Sequence, residues 1–325
     1  MDVIWWSVIA LGGIGAGFGF LLAIASKKFA VKKDETEEAV RACLPGANCG
    51  GCGFPGCDGF AAALASGNAK ISGCAVLGVP AAKDIAEILG VSVGDMRPKA
   101  ARIMCLGKEG CKDKFEYQGA RDCRAALAVG GGFKNCRYAC LGLGSCAAVC
   151  KFDAIKMDAQ GIAEIDVSKC TGCGACAEVC PQKTIAVLAL YIDYYFACRN
   201  PEKGKAVTSV CSSGCISCGI CAKNCPFGAL TMVNDLPVID YDKCRECGIC
   251  AEKCPRKCIV RTKPVRRAEI RSDECKGCGA CKEICPFGAI DGEAGSAFAV
   301  YDNCRGCGSC VSKCGNGAIL LQRDE

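Results

Sequence analysis

Hydrophobic and polar positions divide this chain into one long apolar run, a short charged stretch, and a remainder in which apolar residues come only in brief bursts. Residues 3–26 (VIWWSVIALGGIGAGFGFLLAIAS) are uncharged and mostly apolar. At about 1.5 Å per residue, such a run predicts a helix long enough to cross a bilayer. Lys27, Lys28, Lys32 and Lys33 follow at once, whereas Asp2 is the only charged side chain before it. Positive charge collects on the cytoplasmic side of a span, so the pattern predicts a single pass with the N-terminus outside. Residues 27–325 would then lie in the cytoplasm. A cleaved signal peptide fits less well, because the basic n-region is missing and the apolar run is too long. Gly13-x3-Gly17 and Gly15-x3-Gly19 are either small-residue faces for packing against other membrane helices or simply the glycine common in membrane helices.

Helical patterning continues for only a short way. Asp34–Ala42 (DETEEAVRA) reads as a short acidic helix or a membrane-proximal linker, DGFAAALASG as a helix, and residues 80–98 as a further helix and the link to the next section. Afterwards the apolar positions shrink to β-prone runs. AEIDV, PVIDY and AFAVY each end a connector, and ARIMC and YYFAC end two further runs before polar loops. Such runs suit small two-stranded sheets. With aromatics at only 6%, against 35 cysteines and 41 glycines, no single large hydrophobic core is expected.

The cysteines change the picture most, because the chain has no histidine. Thiolates are soft ligands suited to iron–sulfur clusters and zinc, whereas mononuclear zinc, copper and haem sites commonly recruit imidazole too. Small secreted scaffolds reach this cysteine density through disulfides, but in far shorter chains. Here the spacing is that of metal ligands, and the apo chain is expected to be largely disordered.

A first set, Cys49, Cys52, Cys57 and Cys74, is spaced C-x2-C-x4-C-x16-C amid glycine and proline that let the backbone wrap close to a cluster. Six blocks follow. The first is an expanded motif: Cys136, Cys140, Cys146 and Cys150. The others keep C-x2-C-x2-C-x3-C: Cys170, Cys173, Cys176, Cys180; Cys215, Cys218, Cys221, Cys225; Cys244, Cys247, Cys250, Cys254; Cys275, Cys278, Cys281, Cys285; and Cys304, Cys307, Cys310, Cys314. A zinc site needs only two C-x2-C pairs; the third cysteine and the trailing Cys-Pro are surplus to it. Separations of 20, 19 and 19 residues from the fourth Cys of one block to the first of the next join blocks in pairs, giving three two-cluster units.

In bacterial two-cluster ferredoxins the fourth cysteine of each block ligates the other block's cluster. That rule puts Cys136, Cys140, Cys146 and Cys180 on one cluster and Cys150, Cys170, Cys173 and Cys176 on its neighbour. The second unit pairs Cys254 with Cys215, Cys218 and Cys221, and Cys225 with Cys244, Cys247 and Cys250. The third pairs Cys314 with Cys275, Cys278 and Cys281, and Cys285 with Cys304, Cys307 and Cys310. About seven [4Fe–4S] clusters result.

Cys43, Cys105, Cys111, Cys123, Cys198, Cys211 and Cys258 are left over. Either they pack as small buried hydrophobes, or Cys105, Cys111 and Cys123 with one other thiol build an eighth cluster. The stretch from Arg261 to Arg271 is strongly basic; it is either a solvated linker or a docking site for an acidic electron donor. The formal charge of +6 does not point to nucleic acid, since seven clusters on 28 thiolates carry the holo chain to about −8. No G-x-G-x-x-G at a strand–helix junction, P-loop or nucleophile–base pair is present, so flavin, nicotinamide and substrate chemistry belong to other subunits.

The anchor, the segment LPGANCGGCGFPGC with a further Cys, and the CLGLGSC…C-x-F-D-A-I block closely resemble the B subunit of the Rnf complex over residues 1–190. Residues 191–325 resemble the extended form with additional ferredoxin pairs. Departures are Cys43, Lys151 in the usual Pro position, and Gly315 after the last Cys. The resemblance implies an α+β protein: a transmembrane helix (1–26), a small α-rich 4Fe–4S domain and linker (27–98), and tandem ferredoxin-like pairs (99–190, 191–262, 263–325). It also implies a subunit of a ferredoxin:NAD+ oxidoreductase that transports sodium ions or protons, located at the inner (cytoplasmic) membrane. Electrons would come from reduced ferredoxin and pass toward membrane and flavin/NAD-binding subunits. The other classes in view are an iron–sulfur subunit of a hydrogenase or formate-linked complex, and a cluster-based redox sensor.

Overall fold

The computed structural model describes residues 2–28, 34–93, 96–107 and 110–323, with side chains of the first helix described at 5, 6, 12, 13 and 15–24. Lys27, Lys28, Lys32 and Lys33, on which the predicted membrane orientation rests, lie outside those described side chains. The chain divides into two compact units: residues 1–48, 54–73 and 77–94 form one, and 49–53, 74–76 and 95–325 the other.

The first unit is helical. α1 (Asp2–Lys28) is apolar on every described side, with Trp6, Phe20 and Leu22 exposed. Among the described residues no helix is long and apolar enough to cross a membrane. α2 (Glu35–Cys43) is capped by Asp34, whose carboxylate accepts from the Thr36 N–H, with three glutamates in the first turn. α3 (Cys57–Ala65) and α4 (Val79–Leu89) pack against α2 around Val40, Phe60 and Ile85. Arg41 of α2 and Asp58 of α3 form an ion pair at 2.6 Å.

The second unit repeats one plan three times. In the first module, β1 (Lys99–Ile103) is followed by α5 (Cys123–Ala128), α6 (Ser145–Ala148), β2 (Ile155–Met157), β3 (Ala163–Ile165), α7 (Ala175–Val179) and β4 (Ile185–Ala189). The second runs β5 (Tyr194–Phe196), α8 (Gly204–Thr208), α9 (Ile220–Lys223), β6 (Leu230–Val233), β7 (Leu236–Ile239), α10 (Ile249–Lys253), β8 (Ile259–Arg261). The third runs β9 (Arg266–Ile270), α11 (Ala280–Ile284), β10 (Ile290–Asp291), β11 (Ala299–Val300), α12 (Ser309–Lys313), β12 (Ile319–Arg323).

In every module the first strand pairs antiparallel with the last: β1 with β4, β5 with β8, β9 with β12. The inner strands form a second two-stranded sheet, β2–β3, β6–β7 and β10–β11. The runs ending in ARIM and YYF are thus the opening strands of their modules. Each module's core is a handful of aliphatic side chains around inward cysteines: Ala101, Ile155, Ala163 and Ile185 enclose Cys146 and Cys176, and Ala268, Ile290, Phe298 and Ile319 enclose Cys281 and Cys310. So little apolar surface cannot by itself offset the conformational entropy of the chain.

Candidate iron–sulfur sites

Each regular block reads Cys-x-x-Cys-Gly-x-Cys, and its backbone explains the spacing. The residues on both sides of the second cysteine lie at positive φ: Gly172 (71°) and Gly174 (87°) around Cys173, Gly306 (59°) and Gly308 (74°) around Cys307. Two left-handed residues curl the loop, and the second opens the one-turn helix that carries the third cysteine. Gly172 also lies against β1, where a Cβ would sit 2.5 Å from the Lys99 carbonyl oxygen.

Three cavities collect the expected four thiols each. Cys215, Cys218, Cys221 and Cys254 line one of about 350 Å³; Cys275, Cys278, Cys281 and Cys314 line one of about 340 Å³; Cys285, Cys304, Cys307 and Cys310 line one of about 300 Å³. In all three the fourth cysteine comes from the neighbouring block. Two further groups gather electrostatically. Cys176 lies within reach of the Cys170, Cys173 and Cys150 charges. Cys244 and Cys247 both sense Cys225, and Cys250 senses Cys247 and Cys244.

The expanded block departs from its expected grouping. Cys140, Cys146 and Cys180 line a cavity of about 350 Å³ whose fourth thiol is Cys123, not Cys136. The positive-φ frame gives the reason. Gly142 (72°) and Gly144 (82°) flank Leu143, which therefore stands where the regular blocks have their second cysteine. Leu143 packs instead with Ala126 and Phe133 beside α5, the helix that begins at Cys123. Asp122 caps that helix, accepting from the Arg124 and Ala125 N–H groups, and also accepts from the Ser145 hydroxyl at 3.0 Å. Ser145 in turn accepts from the Cys123 N–H at 2.8 Å, fastening the replacement thiol to the block. Aligning C-L-G-L-G-S-C with C-T-G-C-G-A-C is the sequence signal that reveals the substitution. Cys136 faces a separate cavity.

Burial raises these thiols. Cys176 and Cys310 are pushed up to about 11, and Cys146 and Cys250 to about 12, with neighbouring thiolates adding to the effect. Cys254 goes the other way, down to about 5, chiefly because the Cys258 thiol donates to it. Cys258 is fully buried and donates to the Ser213 carbonyl as well. Backbone N–H groups are aimed at the outer cysteines with a repeated geometry: Ala154 to Cys150 (3.4 Å), Ala229 to Cys225 (3.3 Å) and Ala289 to Cys285 (3.3 Å). From the opening strands, Ala101 donates to Cys170 (3.3 Å) and Ala268 to Cys304 (3.4 Å).

Among the described residues no group of three or more His, Cys, Asp or Glu is gathered tightly enough for a single metal ion. Thiols spread around a cavity, each met by N–H donors, fit a polynuclear cluster whose anionic sulfur the donors stabilise. No disulfide links any cysteine of the described residues.

The first set is described in parts. Cys57 opens α3 in the first unit, its N–H donating to Asn48 Oδ1 at 2.7 Å. Cys49, Cys52 and Cys74 belong to the second unit. There, a Cβ on Gly51 would sit 2.5 Å from the Cys173 carbonyl oxygen, so the Cys49–Cys52 loop lies directly on the Cys170–Cys176 loop.

The basic stretch is neither a free linker nor an open docking face at its centre. Arg266 is turned inward, pairing with Glu246 at 2.8 Å and with Asp193 at 3.4 Å. Arg323 joins the same Asp193 at 3.0 Å. Asp193 is only 3% exposed, so these pairs bind the second module to the third. Arg267, on the opposite side of β9, pairs with exposed Asp302 at 3.1 Å.

Paired strands enclosing thiol groups with crossed fourth cysteines define a ferredoxin-type, multi-cluster iron–sulfur protein. Family models agree: residues 44–76 match "Putative Fe-S cluster", 163–186 a 4Fe-4S binding domain, and 208–255, 236–286 and 274–319 4Fe-4S dicluster domains. The chain is 44% identical to the B subunit of the Na(+)-translocating ferredoxin:NAD(+) oxidoreductase complex of Acetobacterium woodii, over 77% of this chain and 75% of that protein. It is 38% identical to the B subunit of the ion-translocating oxidoreductase complex of Methanosarcina acetivorans (73% and 90%). It is also 38% identical to the B subunit of the proton-translocating ferredoxin:NAD(+) oxidoreductase complex of Clostridium ljungdahlii (75% and 87%). The chain belongs to this family: it is an iron–sulfur electron-transfer subunit of an Rnf-type complex.

Proposed function

We propose that the chain takes electrons from reduced ferredoxin and carries them singly toward the membrane partners of its complex, through seven [4Fe–4S] clusters. The clusters supply reversible one-electron redox at low potential, and the thiols hold them. The proposed ligand groups are Cys49, Cys52, Cys57 and Cys74; Cys123, Cys140, Cys146 and Cys180; Cys150, Cys170, Cys173 and Cys176; and the four groups of the second and third modules given above.

The observation carrying this reading is that groups adjoin from the third module into the second, and within the first. Cys307 of the third module lies within electrostatic reach of Cys247 in the second, and Cys250 within reach of Cys221. In the first module Cys146 adjoins the Cys176 group, whose loop meets Gly51. Cys278, exposed at the far end, is the natural receiving point, and the Cys49–Cys74 set the delivery point. The N–H groups aimed at the thiols hold negative charge there without offering a proton to transfer, which suits relay of electrons alone.

α1 is proposed as a single-pass anchor in the cytoplasmic membrane. Its uncharged run and its exposed Trp5, Trp6, Phe18, Phe20, Leu21 and Leu22 support this, since an isolated helix apolar all round is poorly suited to water. In the intact complex, Cys49→Ala with Cys52→Ala should leave ferredoxin able to reduce the remaining clusters while NAD+ reduction stops. Continued NAD+ reduction at the normal rate would refute the order.

A further inference from the structure

One thiol group gathers three cysteines that belong to none of the blocks with the first cysteine of the expanded block. Cys105, Cys136, Cys198 and Cys211 line a cavity of about 350 Å³, the same size as those of the Cys123 and Cys215 groups. Two of these cysteines come from the first module and two from the second, and the positions of Cys105 and Cys198 are equivalent. Cys105 stands two residues beyond β1 and Cys198 two residues beyond β5, while the third module has Ser272 at that place after β9. Their surroundings repeat as well. The N–H of Cys140 donates to Cys105 Sγ at 3.5 Å, and the N–H of Cys215 donates to Cys198 Sγ at 3.5 Å. Cys140 and Cys215 each lead the ligands of an adjoining group. The third thiol, Cys136, receives Asn200 Nδ2 at 3.5 Å, from a side chain only 2% exposed.

We infer that Cys105, Cys136, Cys198 and Cys211 hold an eighth [4Fe–4S] cluster that joins the first module to the second. The inference rests on the reading that the regular blocks hold such clusters, because it extends their cavity size and N–H···S geometry to an unassigned site. It also closes the one break in the series. Among the described residues nothing else offers a relay between the Cys215 group and the Cys140 group, and this cavity adjoins both. One electron arrives from the Cys215 side and one leaves to the Cys140 side, with no bond made or broken and no proton moved. Cys111 lies behind the cavity, its thiol hydrogen-bonded to Cys136 and Cys211, and is a packing residue.

The test is iron, acid-labile sulfide and zinc per chain on anaerobically purified full-length protein, with EPR of the reduced form. Cys105→Ser and Cys198→Ser, singly or together, should each lower the content by the same about four iron and four sulfide and remove one EPR signal. Cys111→Ser should keep the full complement. Iron retained at all other sites reports that the variants fold. Asn200→Ala, which leaves the ligands intact, should lower the midpoint potential of that one signal, because a thiolate loses a donor. Unchanged iron in the Cys105 and Cys198 variants, a zinc ion lost in place of iron, or a potential shift at a different signal would each overturn the inference. Absence of iron and sulfide from the whole chain would instead refute the reading of the regular blocks.

Discussion

The third and first modules follow one plan with different fidelity. In the third, both blocks keep the compact spacing, the opening strand leads straight into the first cysteine, and the thiols share cavities by the crossed rule. In the first, more than thirty residues stand between β1 and Cys140. Leu143 stands where the regular blocks have their second cysteine, Cys123 from the insertion lines the cavity of Cys140, Cys146 and Cys180, and Cys136 lines another. The backbone frame, with its two positive-φ residues ahead of a one-turn helix, is shared by both. The difference teaches that within the blocks this frame, and not the count of cysteines, fixes which positions face the cavity. A thiol can be exchanged for one from another segment if the insertion is tied down, here by Asp122, Ser145 and the Leu143 contact.

The strongest way to break the comparison is to exchange the two arrangements. Cys123→Ala should cost the chain about four iron and one EPR signal. Adding Leu143→Cys should restore both by returning the first module to the regular pattern. Failure of the double variant to regain iron would show that the frames are not equivalent. Cys136→Ala should remove a different signal from Cys123→Ala, and identical losses would support the grouping expected from spacing.

A smaller effect concerns how modules are joined. Removing buried Asp193 takes one carboxylate from Arg266, which keeps Glu246, and, among the described residues, the only carboxylate from part-exposed Arg323, so Asp193→Ala should destabilise the holo protein by about 1–3 kcal/mol in thermal or denaturant unfolding. Arg267→Ala, which removes an exposed pair with Asp302, should cost about 0–1 kcal/mol. Equal losses would mean that the second and third modules are not joined through Asp193.

The smallest effect is set by pH at the first module's insertion. Hydrogen bonds from Ala125 and Ser145 hold the Asp122 carboxyl below its ordinary value. Its stabilisation is therefore complete above the ordinary carboxylate pKa and is lost as pH falls through the lower folded value. Acid unfolding of Asp122→Asn, followed by loss of cluster absorbance, should lack the part of the pH dependence that wild type shows in that range. An unchanged acid profile would remove Asp122 from the account.

Much is legible in the residues. The helices of the first unit, the strand pairs at the connectors and the crossed grouping of thiols around the cavities of the regular blocks follow from periodicity and spacing. These patterns act over a few residues, where turn geometry and side-chain alternation decide the structure. Counting cysteines along the first block groups Cys136 with Cys140 and leaves Cys123 over, although Gly142 and Gly144 already mark the frame that sorts them otherwise. Arg266 looks like an accessible cation in the sequence because a strand's residues do not disclose the carboxylate that another module brings to it.

The chain's own residues thus determine its chemistry, a thiolate protein without imidazole built on a repeated cluster loop, because ligand type and local spacing are properties of the sequence. Tertiary structure alone decides which distant thiols share a cavity. Cys105 and Cys136 meet Cys198 and Cys211 only because two modules are packed side by side, and no short-range pattern encodes that meeting.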